Sequence, residues 1–134
     1  MARIIDIEGI GPQYARILQS HGVRTASRLL KAAATKKGRE SLAEQTDIPE
    51  KLILEWVNLA DLMRVKGVGE EYSDLLEEAG VDTVKELRNR NPANLYSALA
   101  STNTEKQLVR RLPSPEQVKA WVAEAKKLPA VVKY

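Results

Sequence analysis

The phrase Ile7-Glu8-Gly9-Ile10-Gly11-Pro12-Gln13-Tyr14 returns 58 residues later as Val65-Lys66-Gly67-Val68-Gly69-Glu70-Glu71-Tyr72. The correspondence continues through Leu18/Leu76, Gly22-Val23/Gly80-Val81, Thr25/Thr83 and Leu29/Leu87. An offset held over this length implies two copies of one supersecondary unit. Each Gly-apolar-Gly core reads as a tight turn, because glycine accepts positive φ and close backbone approach without a steric penalty. Any fold open to this chain must accommodate that turn twice.

Around the turns, helical signals are dense and strand signals nearly absent. Pro12 suits a first helical position, where the missing N–H would have had no intrahelical acceptor. Tyr14, Ile17 and Leu18 then share one face, and Gly22 supplies a stop. Thr25 is placed to cap a second helix with Ala26, Leu29, Leu30 and Ala33 on its apolar side. Thr35 is placed to cap a third, containing Leu42 and Ala43, and Asp47-Ile48-Pro49-Glu50 opens a fourth through Leu52, Ile53, Trp56, Val57 and Leu59.

The second copy follows the same plan. Val68 to Ala79 forms the turn and its helix, closed by Gly80; Thr83 caps the next helix, and Asn91-Pro92 starts a longer one with Leu95, Tyr96 and Leu99. Thr104 is expected to cap a short basic helix from Glu105 to Arg111. Ser114-Pro115 begins a last helix with Val118, Trp121, Val122 and Ala125, ended by Pro129. Trp56 and Trp121 correspond at an offset of 65, which places seven extra residues in copy two, expected between Asn91 and Thr104. No low-complexity linker separates the copies. The expected organisation is residues 1–64, residues 65–129 and a tail at 130–134, the two copies packed as one compact all-α unit.

Composition narrows the function classes. The chain has 134 residues, 43% of them hydrophobic, with no Phe and no Cys. Absence of Cys removes disulfides, thiolate metal sites and a thiol nucleophile, and fits a reducing, cytoplasmic setting. Met1-Ala2-Arg3-Ile4-Ile5-Asp6 holds no long apolar stretch and no window reaches spanning length, so neither a leader nor membrane association is expected. The net charge of +3 is uninformative, but its distribution is not. Between Gly9 and Arg39 lie Arg16, Arg24, Arg28, Lys31, Lys36, Lys37 and Arg39 with no acid. Between Gly67 and Val84 lie Glu70, Glu71, Asp74, Glu77, Glu78 and Asp82 with no Lys or Arg.

Bare glycines at a helix start expose backbone N–H groups, and the helix dipole adds partial positive charge there. Amides near Gly9, Ile10, Gly11 and Gln13 are therefore candidates to hold a phosphate oxygen. Such a contact reads backbone rather than bases and weakens with salt. The same glycines also serve an ordinary turn, and the basic run also serves as solvated helix surface.

Ile7-x-Gly9-Ile10-Gly11-Pro12-x-x-Ala15 resembles the helix-hairpin-helix signature, and Val65-x-Gly67-Val68-Gly69-x-x-x-Ser73 is a near copy. The run from Ile7 to Leu62 resembles the small N-terminal domain of archaeal and eukaryotic strand-exchange recombinases. In such domains a second, weaker hairpin follows the first; Thr46-Asp47-Ile48-Pro49 and Arg111-Leu112-Pro113-Ser114-Pro115 would fill that place. Over its whole length, including Val65 to Tyr72 and Leu108-Val109-Arg110-Arg111-Leu112-Pro113, the chain is similar to an uncharacterised bacterial family, domain of unknown function 4332. These resemblances imply tandem pseudo-repeats, each led by a helix-hairpin-helix motif. DNA-binding members of the superfamily keep the positions after the second glycine neutral or basic. Pro12-Gln13 complies and Glu70-Glu71 does not, so Gly67 and Gly69 are expected to be structural.

The expected function is a non-catalytic module that binds DNA without sequence preference. Its candidate residues are Gly9, Ile10, Gly11, Gln13, Arg16, Arg24, Arg28, Lys31, Lys36 and Lys37. The alternative is a protein-interaction adaptor or self-associating scaffold using the basic first and acidic second copy. Tyr14, Tyr72, Trp56 and Trp121 are expected to pack, and His21 to cap a helix end. No cofactor, metal or catalytic residue is expected. A single His leaves few ligand sets. The Asp that some DNA glycosylases place roughly 20 residues beyond such a hairpin has no counterpart before Asp47.

Overall fold

The computed structural model describes residues 2–134; Met1, the first residue of the stretch read for a leader, lies outside them. A 3-10 turn, Ile4–Asp6, precedes eight α-helices among the described residues. They are α1 (Pro12–Ser20), α2 (Ala26–Ala33), α3 (Lys36–Thr46), α4 (Glu50–Leu62), α5 (Glu70–Glu78), α6 (Val84–Leu87), α7 (Pro92–Lys106) and α8 (Pro115–Ala125). The fold is all-α, with one isolated bridge, Arg3 to Thr25. Among the described residues, no helix is long and apolar enough to cross a membrane.

Two compact units divide the chain. The first takes the residues up to Asp61 together with Val131–Tyr134, and the second takes Leu62–Ala130. The division falls in the last turn of α4 rather than after residue 64, because Leu62 is buried in the core that holds Leu75, Leu95 and Trp121. Residues 131–134, expected as a tail, belong instead to the first unit.

In the first unit, helix starts are written locally. The side chains of Thr25 and Thr35 accept hydrogen bonds from Arg28 N–H and Gly38 N–H, as N-caps do. Gly22, at φ 81°, ends α1; its N–H donates to Gln19 O and Val23 N–H to Leu18 O, the paired bonds of a Schellman stop. His21 sits at the same end, with Nδ1 2.9 Å from Ile17 O, so that nitrogen carries the proton. A Cβ on Gly38 would collide with the carbonyl oxygen of Ala32, so α3 can approach α2 this closely only with glycine there. Ile4, Leu18, Leu29, Ile53 and Trp56 form much of the buried interior.

Arg39 departs from the reading of a basic surface run. It is 2% exposed. Its Nη1 donates to the carbonyls of Ala33 (3.2 Å) and Ala34 (2.9 Å), and its Nη2 donates to Lys133 O (2.8 Å). A cation here satisfies the orphan carbonyls at the C-terminus of α2. Lys133 N–H returns a bond to Ala34 O, and Tyr134 Oη lies 3.2 Å from Asn58 Oδ1.

The second unit repeats several local devices. Thr83 accepts from Glu86 N–H, Gly80 at φ 97° ends α5, and Asn91 and Ser114 cap α7 and α8. The expected short helix after Thr104 does not form. Thr104 Oγ1 donates to Ala100 O inside α7, which runs on to Lys106 and ends at Gln107 with φ 51°. The extra length of this half is not confined to residues 91–104. α7 has 15 residues where α3 has 11, and the link 107–114 stands where 47–49 joins α3 to α4.

Candidate functional site

The two glycines of the first turn have different reasons to be glycine. Gly9 adopts φ 91°, and a Cβ on it would stand 3.3 Å from Trp56 Nε1. Conformation and packing both demand glycine there. Gly11 is the N-cap of α1 at φ −79°, a value open to any residue, and a Cβ on it would meet nothing within 4 Å. No side chain caps α1, and Pro12 occupies its first position. The N–H groups of Gln13 and Tyr14, in the first turn, have no intrahelical acceptor. Ile10 contributes no open amide: its N–H donates to Ile7 O (3.1 Å) and its side chain is buried.

The basic candidates do not gather around that opening. Arg16, Arg24, Arg28, Lys31, Lys36 and Lys37 all have exposed side chains. Arg28 and Lys31 line a shallow cavity of about 280 Å³ with His21, Gly22, Val23 and Ala32. His21 and Gly11 flank opposite ends of α1, about 15 Å apart along its axis. Lys36 and Lys37 occupy the first turn of α3, which holds no acid. The first unit therefore carries one open turn, and at least Arg28 and Lys31 stand at the other end of α1 from it.

The second turn has the same backbone and different chemistry. Gly67 is at φ 89° with Trp121 Nε1 3.3 Å from its would-be Cβ, and Gly69 is an uncapped N-cap at φ −107°. Here the first turn of α5 holds Glu70 and Glu71. A third carboxylate, Glu124, accepts Lys66 N–H at 2.6 Å. Aligned on the tryptophans, Glu124 matches Leu59, which is buried and apolar. Glu71 Oε1 accepts Arg110 N–H (3.3 Å), and Tyr72 Oη donates to Arg111 O (2.9 Å), tying the turn to the segment read as a second hairpin. The second turn is thus enclosed by acids and internal bonds.

Farther along α5, carboxylate oxygens of Asp74, Glu77 and Glu78 lie within 4.8 Å of one another. Lys106 pairs with Glu78, whose hydrogen bond and charge raise the lysine pKa. Near the first turn, Glu8 is exposed and adjoins Gly9, at the place that Lys66 holds in the second. Sequence reasoning put Arg39 in a basic surface run and passed over Glu124. For Arg39 the signal was its spacing with Leu42 and Thr46, which puts all three on the buried face of α3. For Glu124 no local signal existed.

Set against known protein families, residues 8–128 match the family described as Domain of unknown function (DUF4332), and the chain belongs to that family. No solved structure matches the chain.

Proposed function

We propose that this member of the DUF4332 family is a non-catalytic module that binds the backbone of duplex DNA without sequence preference, using the open amides of its first turn. In this reading Ile4–Asp6, the turn through Gly11 and α1 form a helix-hairpin-helix motif. The recombinase-like pattern from Ile7 to Leu62 supports it, as does a near copy in the second unit. The observation that carries the reading is the start of α1. Its N-cap is glycine although neither φ nor packing requires it, and its first turn is free of acid. A side-chain-free N-cap lets a phosphate oxygen approach the Gln13 and Tyr14 amides, where the helix dipole favours negative charge. Arg16, Arg24, Arg28, Lys31, Lys36 and Lys37 add longer-range attraction.

Glu70, Glu71 and Glu124 give the second turn the opposite character, so the binding reading is confined to the first. A gel-shift titration against generic duplex DNA tests it. Affinity is expected to fall steeply between low and high salt, and equally for unrelated sequences. Reversal of Arg24 and Arg28 to Glu is expected to weaken binding; unchanged affinity in that variant, or no binding at low salt, refutes the assignment.

A further inference from the structure

Charge is inverted between the units at individual matched positions. Arg16 corresponds to Asp74, Arg24 to Asp82 and Arg28 to Glu86, each 58 residues apart. Local geometry supports the correspondence. Arg16 and Asp74 are both the fifth residue of a nine-residue helix that follows a glycine N-cap. Arg28 and Glu86 each donate their N–H to the capping threonine, Thr25 or Thr83, while Arg24 and Asp82 each precede that cap. The three arginines are exposed and the three acids half-buried.

We infer that the α1–α2 face of one chain docks on the α5–α6 face of a second copy. Two faces with opposite charge at matched sites attract in every cross-pairing of those sites. Two α1–α2 faces repel, and so do two α5–α6 faces, so a closed contact of like with like is disfavoured. What remains is contact between the α1–α2 face of one chain and the α5–α6 face of another. The acidic face is itself crowded. Burial, and then the charge of Asp82, hold the Glu86 carboxyl above its ordinary pKa, against a backbone hydrogen bond at Asp82 and the charge of Arg90. An arginine arriving from another chain relieves that repulsion. This inference stands apart from the DNA reading, since it is tested with no nucleic acid present.

Sedimentation velocity of the full chain over a concentration series, at about 20 mM and about 500 mM salt, provides the test, because screening shortens from tens of ångströms to a few over that range. The average mass is expected to rise with concentration at low salt and to return to 14.9 kDa at high salt. The triple variant R16D/R24D/R28E, altered only at exposed sites, is expected to stay monomeric. Mixing it with D74R/D82R/E86R is expected to give a mixed complex that neither forms alone. Should the acid-reversal triple fail to fold, the neutralising set D74N/D82N/E86Q replaces it and is expected to be monomeric. A wild-type chain that is monomeric at every concentration at low salt overturns the inference. So does an arginine-reversed variant that associates like wild type.

Discussion

Gly9 stands against the indole of Trp56: a Cβ on Gly9 would lie 3.3 Å from Trp56 Nε1, and Gly67 has the same relation to Trp121. On each indole also rests a tyrosine, Tyr14 with ring centroids 5.1 Å from Trp56 and Tyr72 with centroids 5.2 Å from Trp121. These tilted pairs add modestly to the burial of the rings themselves. The tryptophan thus holds both the glycine turn and the first turn of the following helix, so in the first unit the position of the open amides depends on Trp56, late in that unit.

Gly9→Ala and Gly67→Ala should each cost about 1–3 kcal/mol, since the new side chain is strained at positive φ and presses on an indole. Gly11→Ala should cost under about 1 kcal/mol, the difference between two N-cap residues in an allowed conformation. Urea unfolding of the three variants checks this. Equal losses at Gly9 and Gly11 would contradict the separate reasons given for the two glycines.

Gln13→Glu copies Glu71 into the first unit. An acid in the first turn suits the helix dipole, so stability should hold or rise slightly. DNA affinity should fall about fivefold at low salt, the scale of a like-charge repulsion of ~1 kcal/mol across 4 Å of water. Gel shift and thermal melting of the same sample separate the two effects, and a variant that binds as tightly as wild type removes this turn from the contact.

Arg39→Met keeps the volume of the buried side chain but leaves the carbonyls of Ala33, Ala34 and Lys133 without their donor. The loss should be about 2 kcal/mol, the scale of leaving buried acceptors without a donor. Hydrogen exchange should quicken at Lys133 N–H, whose acceptor is Ala34 O. Removing residues 131–134 should cost less in the Arg39→Met background than in wild type, because both changes delete one interaction.

Asp6 accepts hydrogen bonds from the Arg3 side chain and N–H, which hold its carboxyl below the ordinary value of 3.8 despite some burial. A depressed folded-state pKa means the ionised form stabilises the fold. That contribution is complete above the unfolded value of 3.8 and is lost as pH falls through the lower folded value. Asp6→Asn should therefore lower the urea midpoint slightly at neutral pH, and the gap from wild type should close in strong acid. A gap unchanged by acid would show that the ionised carboxylate contributes nothing.

Legibility followed the range of the interaction. Thr25, Thr35, Thr83, Asn91 and Ser114 were readable as caps because the cap and its N–H acceptor relation span three residues. Gly22 and Gly80 were readable as stops for the same reason. Thr104 misled because its residue type favours a cap while its surroundings do not. Leu95 and Leu99 keep α7 periodic, nothing before Gln107 breaks it, and the Thr104 hydroxyl turns back to Ala100 O. Asn103 then fastens the following loop by bonding both the N–H and the carbonyl of Val109.

At the candidate site, the glycine turns and the contrast between Pro12-Gln13 and Glu70-Glu71 were on the surface of the sequence. The open state of Gly11 and the spent amide of Ile10 were not, since they depend on what else occupies the space.

By itself, then, the sequence determined an all-α chain, where most of its helices start and stop, and the acidic or neutral character of each turn. Those are properties of neighbouring residues, set by φ preference, capping and charge. Tertiary structure decided that Arg39 lies inside, that residues 131–134 close onto the first unit, and that Glu124 seals the second turn at Lys66. Spacing on α3 hints at the first, but Arg39 to Lys133 and Glu124 to Lys66 join groups dozens of residues apart, and no local propensity encodes such a meeting. It arises only when burial brings an unpaired carbonyl or N–H within reach of a partner, because leaving that group unpaired would cost more than ordering the side chain or segment that supplies it.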